Sequence, residues 1–237
     1  YREVVLSSRV KDALFRINKG IPAEALEEAY RRIITFNSPM LEENNRSFHR
    51  LLTEGIDVSF AEDGNIRTKN VQIVDFSEEG IKNNEFLVVN QFTIIENEER
   101  RPDLLIFVNG IPLVIIELKS ASDENVGIES AYNQIQTYKK DIPSLFNYNA
   151  FCILSDGINA KAGTITSNEE RYMNWRSIDG KVVEPLSNPQ YEVMFGGMLQ
   201  KHRLLDIIKN FILFQESSVD EKDENGNVKA KFFGIPI

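Results

Sequence analysis

The sequence predicts an α/β fold, a mixed sheet flanked by helices. Three observations predict it. Residues 101–120, RPDLLIFVNGIPLVIIELKS, hold two apolar runs, Leu104–Val108 and Leu113–Ile116, joined through Asn109-Gly110. Asn-Gly between β-rich runs is the strongest short-range hairpin signal, and runs this dense suit strands buried on both faces. A strand, a helical stripe and another apolar strand follow one another across residues 113–154. That order predicts one parallel pairing with the helix on a sheet face. Finally, the first 55 residues carry helical periodicity, and alternation begins only at Ile56.

Taken in order, Ser8 to Asn18 reads as a helix with a Ser cap and with Val10, Leu14 and Ile17 on one face. Gly20 ends it. Pro22 opens a second helix to about Thr35, with glutamates early and Arg31-Arg32 late, as the helix dipole favours. A third helix runs from Leu41 to Thr53 and stops at Gly55. Ile56 to Phe60 alternates as a half-exposed strand, and Asp63-Gly64 is a turn. Further strands are expected over Val71–Phe76 and Glu85–Ile95, with the polar run Glu96–Arg101 as a connector. Mostly short connections favour antiparallel or mixed pairing.

After the central hairpin comes a polar loop, Ser120–Gly127. A helix follows from about Ile128 to Lys140, with Ile128, Ala131, Ile135 and Tyr138 on one stripe, and Pro143 ends it. Phe151–Leu154 is a buried strand, Asp156-Gly157 a turn, and Ile158–Thr166 the next strand. Residues 167–190 are irregular, anchored by Trp175. A last helix is expected from about Tyr191 to Phe214, with a break near Gly196-Gly197. The organisation is one domain over 1–214, divided into a helical part (1–55), a central sheet (56–166) and a C-terminal helical part (167–214). The charged tail, 215–237, reads as a mobile linker.

Composition narrows the function classes. The chain has 237 residues, 42% hydrophobic and 27% charged, an ordinary globular composition. Its start at Tyr1 rather than Met reads as a fragment or a processed product. The single cysteine, Cys152, lies in an apolar run and reads as a small core residue. With no disulfide possible inside the chain, a reducing compartment, the cytoplasm, is expected. No stretch approaches the roughly 20 apolar residues of a membrane span. The net charge of −9 does not suit a free-standing, non-specific DNA binder. Two histidines far apart in sequence give little support to a His-based zinc site or a Ser-His triad.

The chemistry concentrates at the open end of the hairpin, where Asp103, Glu117 and Lys119 interrupt the apolar pattern. A buried, unpaired carboxylate is costly, so two of them beside an ammonium need a reason. A hard cation is one, and oxygen-ligated Mg²⁺ serves phosphodiester hydrolysis. Asp103 and Glu117 would hold it. Lys119, two residues after Glu117, emerges on the same strand face about 7 Å away at the backbone. There its ammonium could orient or deprotonate water and stabilise negative charge. Alone, a Glu-x-Lys is more often a strand-end salt bridge. Here Pro102-Asp103 lies 14 residues upstream of Glu117, across a hairpin that could bring the two together. Gln134 and Tyr138 sit one turn apart on the next helix, although alone they read as a solvated polar residue and a core aromatic.

The constellation sets a demand on register. A plain two-residue turn at Asn109-Gly110 would put Asp103 opposite Ile116, with Glu117 and Lys119 on the other face. One extra residue between Asp103 and Glu117 brings all three to one face. A three-residue connection, Asn109 to Ile111, would supply it, and so would a two-residue turn with a bulge further along.

Pro102-Asp103…Glu117-Leu118-Lys119 resembles the PD-(D/E)xK nuclease motif, and Gln134-x-x-x-Tyr138 resembles the extra motif of its RecB-like branch. RRPDLLIFVNGIPLVIIELK, preceded by NEFLVVNQFTI, is similar to the N-terminal nuclease region of type I restriction enzyme R subunits, as far as LLDIIKNFILF near 204–214. The resemblance implies a restriction-endonuclease-like sheet and a Mg²⁺-dependent endonuclease acting on double-stranded DNA. It implies Asp103 and Glu117 as metal ligands, Lys119 as the catalytic lysine, and Gln134 and Tyr138 as supporting or DNA-proximal residues. It also implies a bacterial or archaeal assembly with modification (M) and specificity (S) subunits. Cleavage would follow translocation by a helicase-like motor, so ATP would bind only the full-length subunit. No Gly-rich phosphate loop occurs in this chain. The family fold often adds an early acidic residue, and Glu28, Glu43 and Glu54 are all candidates. Two rival readings are another RecB-like nuclease, for repair or exonucleolytic work, and a non-catalytic assembly module of the same fold.

Overall fold

The computed structural model describes residues 3–120, 127–222 and 228–235. Three helices come first: α1 (Ser7–Ile17), α2 (Ala23–Ile34) and α3 (Leu41–Glu54). Each turns an apolar stripe inward, Val10, Ala13 and Leu14 on α1, Leu26, Tyr30 and Ile33 on α2, and Phe48 and Leu52 on α3. The expected Ser cap on α1 does not form. Leu6 occupies that position, and the Ser7 hydroxyl donates to Glu3 instead. α3 ends at Gly55, whose φ of 81° lies in the left-handed region.

β1 (Ile56–Glu62) and β2 (Asn65–Val71) form a separate antiparallel pair around Asp63-Gly64. β2 replaces the strand expected over Val71–Phe76. A two-residue turn zips up the polar segment directly after it, and turn geometry fixes register. The short α4 (Gly80–Asn83) follows. The expected strand Glu85–Ile95 is divided. β3 (Phe86–Asn90) stops at Gln91, whose φ is 49°, and β4 (Ile94–Ile95) pairs with β5 (Glu99–Arg100). β6 (Leu104–Val108) and β7 (Ile111–Leu118) make the central hairpin. α5 (Ile128–Asp141) and the short α6 (Pro143–Phe146) lead to β8 (Phe151–Ser155) and β9 (Ala160–Gly163). The expected loop between β7 and α5 falls on 121–126, outside the described residues.

The main sheet has five strands in the order β3-β6-β7-β8-β9. Among the described residues its only parallel pair is β7 with β8, joined through α5 as the strand–helix–strand order predicts. The sheet is mixed and flanked by helices, the α/β class that the sequence predicts. β7 is buried along both faces up to Glu117, and β8 along its whole length. Cys152 is among the fully buried residues, as its apolar run implies.

Asn109 and Gly110 turn the central hairpin with φ of 52° and 81°, which is what a two-residue turn between twisted strands requires. Gly110 has a second reason to lack a side chain: a Cβ there would come 2.8 Å from the Leu6 carbonyl oxygen. Asn109 is also a buried junction. Its Nδ2 donates to the Ile73 carbonyl (2.9 Å) and Asn84 Oδ1 (2.7 Å). Its Oδ1 accepts from the Glu85 amide (2.8 Å) and Arg16 Nη2 (3.0 Å). The turn is thereby pinned to α1 and to the segments before β3.

Past the turn, Phe107 faces Pro112 but Ile106 faces Val114, so Leu113 is a bulge. Of the two ways to gain the extra residue, the chain takes the two-residue turn with a bulge. The Leu113 carbonyl is engaged on the β8 side, accepting from the Ala150 amide (2.7 Å) and from Asn149 Nδ2 (3.2 Å). The bulge is therefore a satisfied feature of the core.

Residues 167–190 are irregular apart from a single 3₁₀ turn, Glu169–Arg171. Trp175 packs there against the core, with the Arg203 guanidinium 5.8 Å from its ring centre. α7 (Gln190–Gly197) and α8 (Lys201–Asp206) follow, separated near the glycine pair as expected. The helical chain ends in a π-turn, Ile207–Phe211, rather than at Phe214. β10 (Leu213–Lys222) and β11 (Val228–Ile235) then pair antiparallel where the sequence expects a linker, and 223–227 lie outside the described residues. Among the described residues no helix is long and apolar enough to cross a membrane.

Candidate functional site

The bulge determines what the hairpin presents at its open end. Leu104 pairs with Ile116, so the next rung places Asp103 opposite Glu117. The Glu117 carboxylate is 3% exposed, and Lys119 Nζ donates to its Oε1 at 2.6 Å. The hydroxyl of Tyr138, on the buried stripe of α5, donates to Glu117 Oε2 at 3.1 Å. Gln134, one turn earlier, reaches that hydroxyl with its side chain. All five residues singled out in the sequence thus gather at one end of the sheet.

α5 is held at its C-terminal end by the β4–β5 turn. The Asn97 amide donates to the Asp141 carbonyl at the C-terminus of α5 (3.0 Å), and Arg100 Nε pairs with the Asp141 carboxylate (2.6 Å). The β4–β5 turn that leads into Asp103 therefore also docks the helix that carries Tyr138.

Asp103 is clamped by groups from the two neighbouring strands. Its Oδ2 accepts from the Leu118 amide (2.8 Å), and its Oδ1 accepts from Gln91 Nε2 (2.8 Å). Gln91 was not visible as a site residue in sequence. The available signal was the polar pair Asn90-Gln91, which interrupts an otherwise apolar β run. The early acidic candidates are engaged elsewhere: Glu28 with Arg32, Glu43 with Ser38, and Glu54 with Arg50.

The electrostatics follow from burial. Loss of hydration pushes the Glu117 carboxyl above the ordinary glutamate range, and the Asp103 charge adds to the push. The bonds from Lys119 and Tyr138 oppose it without cancelling it. Burial, then the charge of Glu117, also holds the Tyr138 phenol well above its usual range, so it stays a donor. A site that leaves a buried carboxylate disfavoured as an anion, with a second carboxylate facing it, has room for more positive charge. Among the described residues no group of three or more His, Cys, Asp or Glu side chains converges at one point. Two carboxylates are what Mg²⁺ ordinarily takes from a protein, the remainder of its octahedron being water and substrate oxygen. The donor set fits that ion and suits zinc poorly.

The raised Glu117 carboxyl has a consequence for stability, with its sign fixed by linkage. In metal-free buffer the native state keeps a proton on Glu117 at a pH where the unfolded chain has released it. The contribution of this group is therefore present below the usual glutamate range and is lost as pH rises through the raised value. Glu117→Gln is expected to equal or exceed the wild type in stability at pH 7, with the difference shrinking toward pH 4. Urea unfolding midpoints at both pH values check this, and a variant less stable at pH 7 than at pH 4 relative to wild type contradicts it.

Comparison with known proteins extends these observations. A family profile described as the type I restriction enzyme R protein N terminus matches residues 1–171. The chain is 31% identical over 236 residues to the type I restriction enzyme HindI endonuclease subunit of Haemophilus influenzae, covering 98% of this chain and 22% of that protein. It is 31% identical over 239 residues to the putative type I restriction enzyme MjaIXP endonuclease subunit of Methanocaldococcus jannaschii, covering 92% of this chain and 23% of that protein. The type I restriction enzyme EcoprrI endonuclease subunit of Escherichia coli is 31% identical over 160 residues, which is 64% of this chain and 48% of that protein. The chain thus spans between a fifth and a quarter of the length of the first two relatives.

Proposed function

This chain belongs to the family of type I restriction enzyme R protein N termini, and from that membership we propose that it is a Mg²⁺-dependent DNA endonuclease domain of the PD-(D/E)xK kind. The observation that carries the reading is the bulge at Leu113, which sets Asp103 opposite Glu117 with Lys119 bonded to the same carboxylate. Asp103 and Glu117 would hold the ion. When bound, Mg²⁺ supplies charge against the scissile phosphate and acidifies an attacking water.

The chain's own residues do the rest. Lys119 sits at the site mouth, with its side chain 19% exposed. It can orient the water and stabilise the negative charge that gathers on the phosphate oxygens in the transition state. Tyr138 fixes the second oxygen of Glu117 and so limits rotation of that carboxylate. Gln134 holds Tyr138 in turn or meets the DNA backbone. Burial keeps water from the Glu117 carboxylate, whose side chain is only 3% exposed, which strengthens each of these electrostatic contacts.

The net charge of −9 favours a domain that depends on other components for DNA affinity. The proposed setting is a cytoplasmic complex with modification and specificity subunits, in which a motor elsewhere in the full-length subunit hydrolyses ATP and delivers double-stranded DNA. Recognition of the DNA sequence would lie outside this domain.

Metal-linked stability tests the reading. A ligand that binds only the native state stabilises it by about 2.7 kcal/mol at a hundredfold excess over its dissociation constant. Mg²⁺ or Mn²⁺ is therefore expected to raise the unfolding midpoint of this chain and to leave Glu117→Gln unmoved. A wild-type chain with no response to either ion, or a variant with the same response, overturns the metal assignment.

A further inference from the structure

We infer that Gln91 is a positioning residue for this site, fixing the Asp103 carboxylate in the orientation that accepts a divalent ion; this rests on the metal reading above. Three observations support it. The Gln91 amide nitrogen donates to the Asp103 carbonyl (3.0 Å), one rung beyond the last β3–β6 pair, Asn90 with Leu104. Its side-chain Nε2 donates to Asp103 Oδ1 at 2.8 Å. Its φ of 49° is left-handed, a conformation that disfavours any residue with a Cβ and that glycine adopts freely.

A glycine would make the turn with less strain. What glutamine adds there is the amide. With Leu118 donating to Oδ2 and Gln91 to Oδ1, each Asp103 oxygen is held by one donor and keeps acceptor capacity. The two clamps come from opposite neighbouring strands, so the carboxylate cannot turn without breaking one of them. The geometry is that of a ligand oriented before its ion arrives, and loss of such outer partners typically weakens metal binding by one to two orders of magnitude.

Glycine and methionine substitutions separate this role from a structural one. Gln91→Gly removes the amide and relaxes the backbone. Gln91→Met keeps a side chain of similar length and removes only the donor. Mn²⁺ binding to the chain is measured by calorimetry, alongside the thermal midpoint without metal. Both variants are expected to bind Mn²⁺ about tenfold more weakly, while Gln91→Gly keeps or raises the metal-free midpoint. A residue that only shaped the turn would lose no affinity on becoming glycine. If both variants bind as the wild type does, the role of Gln91 is overturned and the metal site stands. If the wild type takes up no Mn²⁺ at all, the metal site and the role of Gln91 fall together.

Discussion

Asp103→Ala, Glu117→Ala and Lys119→Met are each expected to reduce double-strand cleavage by about 10³-fold in the full-length subunit assembled with its proposed partners, while ATP hydrolysis continues at the wild-type rate. The magnitude is that of removing one preorganised charge from a developing anion, or one group that handles a proton. The three variants fail for different reasons. Asp103→Ala leaves the Leu118 amide and Gln91 Nε2 without their acceptor and removes one side of the ion's cradle. Glu117→Ala also releases Lys119 and Tyr138 from the carboxylate that holds them. Lys119→Met keeps both carboxylates, so it should retain Mn²⁺ binding while losing cleavage. Cleavage and ATPase assays on the same preparations check this. Persistent double-strand cutting by either alanine variant would remove the assignment, and a parallel loss of ATPase would point to misassembly.

A second large effect belongs to the hairpin turn. Asn109→Ala is expected to destabilise the chain by about 4 kcal/mol. Placing a Cβ residue without a polar side chain in the left-handed region costs about 1–2 kcal/mol. Leaving buried partners unpaired costs about 1–3 kcal/mol each. Here the Ile73 carbonyl and the Glu85 amide both lose their side-chain partner. Two further substitutions divide the total. Asn109→Gly restores the backbone and should recover the first share alone. Asn109→Asp keeps the acceptor for Glu85 and Arg16 but loses both donated bonds. Urea unfolding with an unchanged slope measures the series. A loss of less than about 1 kcal/mol for Asn109→Ala would show that the junction is not what holds the turn.

Much of this was legible in the sequence because the signals were local. Asn109-Gly110 marked the hairpin, and the spacing from Asp103 to Glu117 required one surplus residue between them, which the structure supplies at Leu113. The stripe on α5 placed Tyr138 on the buried face, and the chemistry of Glu-x-Lys placed Lys119 beside Glu117. The misreadings have tertiary causes. Ile73 and Val74 look like a strand because they are apolar, and they are buried, but the turn at Asp63-Gly64 commits the mostly polar run before them, ending at Val71, to pairing. Gln91 could not be found from composition, because a left-handed glutamine is disfavoured locally and its bonds to Asp103 are tertiary. Which supplier would provide the extra residue was equally open, since the partners of the Leu113 carbonyl, Asn149 and Ala150, lie more than thirty residues away in sequence.

The turn at Gln91 also bears on how the protein behaves in concentrated solution. β3 is the outermost strand on its side of the sheet, and Val88 is 60% exposed on it. An outermost strand offers unpaired amides and carbonyls to any other chain that can lie alongside, and long, flat, apolar ones seed aggregates. The β-prone stretch in sequence runs from Phe86 through Ile95 with only Asn90-Gln91 and Thr93 as polar interruptions, and as one strand it would make a longer edge. Reversing the backbone at Gln91 cuts it to five residues and sends Ile94–Ile95 to pair with Glu99–Arg100 instead. One backbone torsion thus guards the molecule against sticking to its own copies while holding a carboxylate in place.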